Sequence, residues 1–294
     1  MYNKGDRVIH TSENNWGVGQ ILDIKGGGNI SIFFSEKGLI NFHIKYAKLL
    51  KLASKKVANN YILNNLYIPK NDKKMHYRNI SDSISLFLNK YPLGFYDEKY
   101  LKDERNYKYK THIYAVEELS KNNLSKLLKE KDYASVCSRA KKVMHYKEKN
   151  EHKMNLIYTY GESMSLEPNL NIEDNQELFA KNLYDLLYGG DALMNRFNRF
   201  CDTLIRLEAD KWAVATFFLF IIFPNQYMLI RPTPTIEASE MCGIDIKYNT
   251  KTNYETFDCV NQFSNFLKVK LSQLKPRDMI DIQSFMWCIR LFKI

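Results

Sequence analysis

Two aspartates near the C-terminus, Asp278 and Asp281, lie where a helix is predicted to begin and are the first candidates for chemistry. The apolar spacing that follows them predicts a helix over 279–291, with Asp278 at the N-cap and Asp281 at the third helical position. The positive end of the helix dipole keeps both carboxylates ionised. A fixed carboxylate can stabilise positive charge on a substrate or orient a water molecule. The alternative is that both carboxylates only cap the helix.

A second candidate is the segment R-P-T-P-T, which begins at Arg231. Thr233 followed by Pro234 predicts the N-cap and the first-turn proline of a short helix that ends near Gly243. The free N–H groups of a helix start, together with an arginine and hydroxyl groups, suit a phosphate. An ordinary loop and cap is the other interpretation of Arg231 and Thr233.

The motifs of several large enzyme classes do not occur in the sequence. There is no G-x-x-x-x-G-K loop and no G-x-G-x-x-G after a strand, which argues against nucleotide hydrolysis and dinucleotide binding. The six histidines form no H-x-x-x-H pair and no H-x-E with a C-x-x-C, which argues against zinc hydrolases and zinc deaminases. A G-x-S-x-G nucleophile elbow is also missing. We therefore expect neither a metal nor a cofactor.

The positive charge of the chain is concentrated in its middle. Residues 43–160 hold 25 Lys and Arg against 12 Asp and Glu, whereas the remaining residues hold 18 against 21. Such a basic stretch, with tyrosines interleaved, indicates a surface for nucleic acid rather than for a membrane. A solvated lysine-rich helix face is the alternative. The candidate phosphate contacts are Lys108, Lys110, Lys141 and Lys142.

The composition bounds the class of protein. A chain of 294 residues with 45% hydrophobic residues can bury a core. Its five cysteines are scattered, and its first residues lack the apolar stretch of a secretory signal, so we expect reduced thiols in the cytoplasm. The longest apolar run, 212–223, is shorter than the roughly 20 residues of a membrane span and predicts a core helix. We expect no membrane partner.

Three stretches differ in their hydrophobic pattern. Residues 1–50 alternate short runs of strand formers with Gly- or Asn-bearing turns, which predicts a small SH3-like β-barrel. Residues 51–80 form a basic connecting region, and residues 81–294 predict a larger, mostly helical domain, so the fold class is α+β. Ser81 is the predicted cap of a first helix that Pro92 stops. Further helices are predicted at 112–130, 132–146, 175–188, 192–207, 210–223, 252–274 and 279–291.

The opening of the chain carries a resemblance. Gly5–His10 and Trp16–Ile21 read G-D-x-V-x-H and W-G-x-G-x-I. This pattern resembles the Tudor or SH3-like modules of bacterial DNA-repair helicases and of transcription regulators that bind RNA polymerase. The resemblance implies a small barrel that binds DNA or a protein partner.

A second resemblance extends over most of the chain. The segment P-R-D-M-I-D-I-Q-S-F-M-W, which begins at Pro276, is similar to the end of a family of bacterial proteins that have the same barrel-plus-helices layout. The same family is matched by these further segments: Asp103–His112, Tyr184–Gly189, Trp212–Thr216, Phe223–Pro224 and Arg231–Thr233. Members of such families are found beside phage-defence genes.

The C-terminal segment is also similar to the P-V-D-x-H-V-x-R segment of helix-hairpin-helix DNA glycosylases, in which an aspartate opens a helix and points into the base pocket. Asp281 takes that place here, while Ile280 and Gln283 replace the proline and the histidine. The resemblance implies that Asp281 is catalytic, with Asp278 beside it. It also implies that a flipped base is bound by Gln283, Trp287 and Trp212.

Two functions follow as hypotheses. Cleavage of an N-glycosidic bond builds positive charge on the sugar, and one fixed carboxylate would stabilise that charge. The leading hypothesis is a DNA-binding anti-phage defence protein that flips out and excises a modified base from double-stranded DNA. The alternative is a non-catalytic adaptor of repair or transcription, which binds DNA or RNA polymerase and holds a protein partner through its barrel.

Overall fold

A five-stranded antiparallel sheet opens the chain. The computed structural model describes residues 2–69, 77–146, 156–157 and 166–291. The strands are β1 (Arg7–His10), β2 (Val18–Lys25), β3 (Asn29–Phe34), β4 (Gly38–His43) and β5 (Leu50–Leu52). They are arranged in the order β4-β3-β2-β1-β5, and a 3-10 turn over Ile44–Leu49 leads into the last strand. This order, in which β5 returns to pair with β1, is that of an SH3-like module and confirms the predicted fold class.

The sheet closes over an apolar cluster. Alternating side chains of the strands point inward, and the buried members of the cluster are Val8, Ile21, Ile30, Ile32, Phe34 and Leu50. Packing requires a glycine at position 19, the second glycine of the W-G-x-G motif, because a Cβ there would lie 2.8 Å from the side chains of both Ile32 and Phe34. The first, Gly17, has a φ of 72°, which favours glycine.

The described residues form two compact units, and the first of them is larger than the sheet. It comprises Met1–Phe87 together with Ile236–Ile246. Two short helices follow the sheet, α1 (Lys55–Ala58) and α2 (Tyr61–Asn64). The second segment joins this unit through backbone hydrogen bonds, from Tyr67 N to Gly243 O at 2.9 Å and from Asp245 N to Asn65 O at 2.7 Å.

The second unit, Leu88–Thr235 and Lys247–Ile294, contains most of the helices. Helices α3 and α12 each extend from one unit into the other. Counted along the whole chain, the helices after α2 are α3 (Ile80–Lys90), α4 (Glu98–Tyr100), α5 (Asn106–Glu118), α6 (Lys121–Lys129), α7 (Tyr133–Met144), α8 (Leu166–Asn169), α9 (Glu173–Tyr188), α10 (Leu193–Arg206), α11 (Trp212–Ile222), α12 (Pro232–Met241), α13 (Tyr254–Lys270) and α14 (Met279–Leu291). A single turn of π-helix, Leu101–Arg105, joins α4 to α5. Every residue of α11 is buried, so the predicted core helix is confirmed.

Several predicted helix boundaries need correction. The helix predicted over 112–130 is two helices, because Ser120 accepts a hydrogen bond from Asn123 N at 3.3 Å and caps a new helix. The helix that was predicted to be capped by Ser81 is α3, which begins at Ile80, and Asn79 caps it by accepting a hydrogen bond from Ser81 N at 2.8 Å. Helix α12 begins one residue before Thr233, which therefore lies in its first turn and not at its N-cap.

Among the described residues, no helix combines the length and the apolar character that crossing a membrane requires.

Candidate functional site

The predicted catalytic aspartates lie in a buried network of charged and polar side chains. Helix α14 brings Asp278 and Asp281 against the π-helix turn and the start of α5, which precede them by about 175 positions in the sequence. We call this set the buried ion network, and its members are Tyr100, Glu104, Arg105, Lys108, Arg277, Asp278, Asp281, Gln283 and Ser284. All of them belong to the second unit.

Asp281 is completely enclosed, with 0% of its surface exposed. Its Oδ1 accepts hydrogen bonds from the Tyr100 hydroxyl at 2.7 Å and from Arg105 Nη1 at 2.9 Å. Its Oδ2 accepts from the backbone N–H of Arg277 at 2.8 Å and from Arg277 Nε at 2.9 Å. A buried carboxylate needs such partners, because an unpaired charge in the interior is strongly destabilising.

Asp278 caps α14, as its position in the sequence predicts. Its Oδ1 accepts from the backbone N–H groups of Ile280 at 3.0 Å and of Asp281 at 3.3 Å. The guanidinium of Arg105 binds both carboxylate oxygens, at 2.8 and 2.7 Å. This two-point geometry fixes the start of α14 against the π-helix turn.

Lys108 forms the other half of the network. Its Nζ donates to Gln283 Oε1 at 2.6 Å, to Ser284 Oγ at 2.8 Å and to Glu104 Oε2 at 3.3 Å. Only 2% of the Lys108 surface is exposed. The phosphate contact of Lys108 stays a prediction, while in this structure its ammonium is buried and its donors are directed to side chains of the same unit.

The network fixes the charge state of its members. Burial, and then the negative charge of Asp281, raise the pKa of Tyr100 well above its ordinary value. Burial acts to lower the pKa of Arg105, but its hydrogen bonds and charge interactions with the two aspartates outweigh burial and raise it. Burial likewise opposes the charged form of Lys108, while Tyr107 and Glu104 outweigh it and raise that pKa. Tyr100 is thus neutral and both cations remain charged over the ordinary pH range.

The arrangement holds two elements together rather than presenting a reactive group. Two guanidinium groups balance two carboxylates, and Lys108 balances Glu104. The oxygens of Asp281 are directed at donors of the protein itself, and Asp281 has no surface from which to reach a substrate. The assignment of Asp278 and Asp281 as catalytic stays a prediction, and their geometry is that of a helix cap and an ion-pair centre.

The other predicted pocket residues have partners within the second unit. Trp212 is 2% exposed and donates from its indole N–H to Asn249 O at 2.8 Å, so its place is in the core. Trp287 is half-buried, and the Arg290 guanidinium lies 4.9 Å from its ring centre. Gln283 holds Lys108, as described above.

The arginine of the predicted phosphate site makes an internal hydrogen bond. Arg231 is half-buried and donates to Leu156 O at 3.1 Å, whereas Thr233 is exposed. The structure thus leaves Thr233 accessible and uses part of the Arg231 guanidinium within the unit.

A different set of cations faces solvent. The segment 119–146, which contains α6 and α7, has seven Lys and Arg and two acidic residues. We call its exposed lysines the α6–α7 lysine face: Lys121, Lys126, Lys129, Lys131 and Lys142. The predicted contact Lys142 belongs to this face, and Lys141 beside it is half-buried and donates to Asn171 Oδ1 at 3.0 Å. Lys110, on α5, is also half-buried.

Lys131 occupies the turn between α6 and α7 in an unfavourable backbone conformation. Its φ is 56°, in the left-handed region where glycine is the usual residue. Asp132 N donates to Leu127 O at 2.9 Å and Lys131 N to Leu128 O at 3.2 Å, which is the Schellman ending of a helix. The turn therefore places a lysine at a position where another residue type is more stable.

The thiols give no reactive centre in the described part of the chain. Cys137, Cys201, Cys242 and Cys288 are buried and unpaired, in agreement with the sequence prediction, and Cys259 is half-buried. Burial raises the pKa of each of the four buried thiols to about 12. Within the residues that the structure describes, no three His, Cys, Asp or Glu side chains group as metal ligands would.

The fold is thus a small SH3-like sheet followed by helices, with a buried ion network and an exposed lysine face in the helical unit. Residues 2–52 match one family model, described as a protein of unknown function (DUF3553). The match spans all five strands and ends before either feature of the helical unit, so it concerns the sheet alone. No curated protein and no solved structure matches the chain.

Proposed function

We propose that the chain is a non-catalytic DNA-binding adaptor whose α6–α7 lysine face binds the phosphates of double-stranded DNA. The observation that carries the proposal is the exposure of these five lysines in a segment with only two acidic residues. Lysines on a surface bind phosphate groups regardless of base sequence and release the counterions that neutralise them. We infer an affinity that depends little on sequence and strongly on salt.

Lys131 adds a cation to this face at the turn between α6 and α7. A lysine in the left-handed region costs about 1 kcal/mol relative to glycine at the end of a helix. Glu208 has the same conformation after α10, so the DNA proposal rests on the exposed charge of Lys131 and not on its backbone.

The adaptor has a second surface in this proposal. The N-terminal sheet resembles the Tudor or SH3-like modules of DNA-repair helicases and of transcription regulators that bind RNA polymerase. We propose that it holds a protein partner while the α6–α7 lysine face holds DNA. Repair, transcription and phage defence are the settings that the sequence resemblances imply for such an adaptor.

The glycosylase activity stays a prediction and is not the function that we propose. It requires a carboxylate that reaches the sugar of a flipped nucleotide, and Asp281 is enclosed by Tyr100, Arg105 and Arg277. Incubation of the purified protein with phage and host DNA, followed by a probe for abasic sites, tests this activity. Abasic sites that the wild type forms and a folded Asp281→Asn variant does not form would overturn the non-catalytic assignment.

The DNA proposal is tested by the salt dependence of binding. We expect a labelled 20-base-pair duplex to bind with an affinity that falls steeply between 50 and 200 mM KCl. The triple variant Lys126→Ser, Lys129→Ser, Lys142→Ser should lower the slope of log affinity against log salt by roughly 0.9 for each phosphate that is no longer bound.

The matched control removes three exposed lysines of the same unit outside the face: Lys211→Ser, Lys251→Ser, Lys270→Ser. It changes the net charge equally and should keep most of the slope. Equal losses in the two triple variants would mean that overall charge, not the α6–α7 lysine face, binds DNA.

A further inference from the structure

Two exposed tyrosines of the second unit each lie against an arginine of the buried ion network. Tyr96 is 49% exposed, and the guanidinium carbon of Arg277 lies 4.8 Å from its ring centre. Tyr109 is 45% exposed, and that of Arg105 lies 5.3 Å from its ring centre. Both contacts are within the distance of a cation–π interaction. Each ring thus contacts a cation of the protein, and about half of the surface of each tyrosine is exposed to solvent.

The two supporting arginines are held by a single buried atom. Arg105 Nη1 and Arg277 Nη2 both donate to Asp281 Oδ1, at 2.9 and 3.1 Å. The two guanidinium groups are therefore neighbours, and each ring contacts a guanidinium that is bound to the same carboxylate. Tyr96 is fixed further, because its hydroxyl donates to Lys275 O at 3.1 Å.

Rigid, exposed aromatic rings beside cations suit planar ligands. Every nucleic-acid base presents a flat face that stacks on such a ring, provided that the base is not already stacked in a duplex. A ring that is held in place loses little conformational entropy when a base stacks on it. We propose that Tyr96 and Tyr109 form a stacking site for the unpaired bases of single-stranded nucleic acid.

The charges around the rings distinguish this site from the α6–α7 lysine face. Lys99 and Lys102 are exposed in the segment between Tyr96 and Tyr109, and Glu98 and Asp103 of the same segment offset their charge. Binding here rests on stacking rather than on phosphate contacts, so it depends less on salt than duplex binding does. The site adds a second ligand to the proposed adaptor and can exist without the first.

Helix α5 connects Tyr109 to α7. Tyr109 is in the first turn of the helix, whereas Glu118, its last residue, binds Arg139 of α7 at 2.9 Å. Nine residues of helix separate Tyr109 from Glu118 by roughly 13 Å.

The test uses a fluorescein-labelled 12-nucleotide oligothymidylate and the full chain, with affinity measured by anisotropy at several salt concentrations. We expect Tyr96→Ala and Tyr109→Ala each to weaken binding roughly tenfold, because stacking loss on alanine substitution is of that order. Phenylalanine at either position keeps the ring and should bind within about twofold of the wild type. Tyr46→Ala, which removes a ring of 48% exposure in the first unit, should leave the affinity unchanged.

A tryptophan variant tests the stacking site even if the alanine variants fail to fold. Tyr109→Trp retains a stacking ring, and we expect its added fluorescence to be quenched when the oligonucleotide binds. Three outcomes would overturn the proposal: the wild type does not bind the oligonucleotide, both alanine variants bind it as tightly as the wild type, or the emission of the added tryptophan is not quenched. Any of them would leave a protein partner as the ligand of the rings. Duplex binding through the α6–α7 lysine face is measured separately, so the failure of one site does not imply the failure of the other.

Discussion

Lys108 on α5 and Lys142 on α7 come from the same basic stretch of sequence and have opposite environments. The Lys108 ammonium is enclosed and donates to three side chains of its own unit. Lys142 is exposed beside other lysines. The first cation is part of the folded structure, and the second is available to a partner.

The difference shows why a charge total overstates the surface available to DNA. Arg105 and Lys108 both count toward the positive middle of the chain, yet each is neutralised by carboxylates inside the unit. Breaking a buried pair destabilises a protein strongly, whereas removing an exposed lysine changes little. The two groups of cations should therefore separate cleanly when stability and DNA affinity are measured on the same variants.

The largest effect is expected at the centre of the buried ion network. Asp281→Ala removes the buried acceptor that Arg105, Arg277 and the Tyr100 hydroxyl share, so we expect a loss of about 3–5 kcal/mol in the free energy of unfolding. Urea denaturation followed by circular dichroism measures it. Asp202→Ala, an exposed aspartate of α10, is the control and should change stability by less than about 0.5 kcal/mol. A stable Asp281→Ala variant would show that the network does not hold α14 in place.

The next largest effect is expected at Lys108. Lys108→Met keeps the length of the side chain but leaves Glu104 and Gln283 without their donor, which should cost about 2–3 kcal/mol. Lys142→Met is the matched change on the exposed face and should stay within about 0.5 kcal/mol. Duplex affinity should respond in the opposite order, with Lys142→Met weaker than wild type and folded Lys108→Met unaltered. If the two variants lost equal stability, the contrast between buried and exposed cations would be refuted.

The sequence predicted the parts of the site that depend on local signals. Asp278 stands before an apolar periodic run, and its capping role follows from neighbouring residues alone. The helix break at Ser120 also has a local signal, a capping residue before a polar turn, which the longer apolar periodicity outweighed in the prediction. The sheet was predictable because short alternating runs and glycine turns specify small barrels.

The partners of the two aspartates were not predictable in this way. Tyr100 and Arg105 approach Asp281 across about 175 positions, and no periodicity relates residues so far apart. Two spacings hinted at buried pairs, Glu104 with Lys108 and Arg277 with Asp281, each four residues apart. Those spacings are common on exposed helices, so only the three-dimensional packing distinguishes them. The assignment of residues 236–246 to the first unit could not be predicted either, because it depends on contacts with residues far away in the sequence.

A smaller effect, with a defined pH dependence, is expected at Tyr100. Tyr100→Phe removes one donor to Asp281, which keeps its arginine partners, so the loss should be about 1–2 kcal/mol near pH 8. Folding raises the pKa of Tyr100 above its ordinary 10.0, so its contribution is complete below pH 10 and is lost as the pH rises further. The gap between wild type and variant should shrink by up to about 1.4 kcal/mol per pH unit above 10. Urea unfolding of both proteins from pH 8 to 11 measures it, and a constant gap would mean that Tyr100 ionises alike in both states.

The smallest effect on stability is expected at Lys131, and it is a gain rather than a loss. Lys131→Gly relieves the left-handed backbone at the end of α6, and we expect a gain of about 0.5–1 kcal/mol in the free energy of unfolding. The same change removes a cation of the α6–α7 lysine face, so duplex affinity should fall and the salt slope should drop by roughly 0.9. Lys131→Asn, which also tolerates this conformation, separates backbone from charge: it should lose the same DNA affinity with a smaller gain in stability. Undiminished duplex binding in both variants would remove Lys131 from the proposed DNA surface.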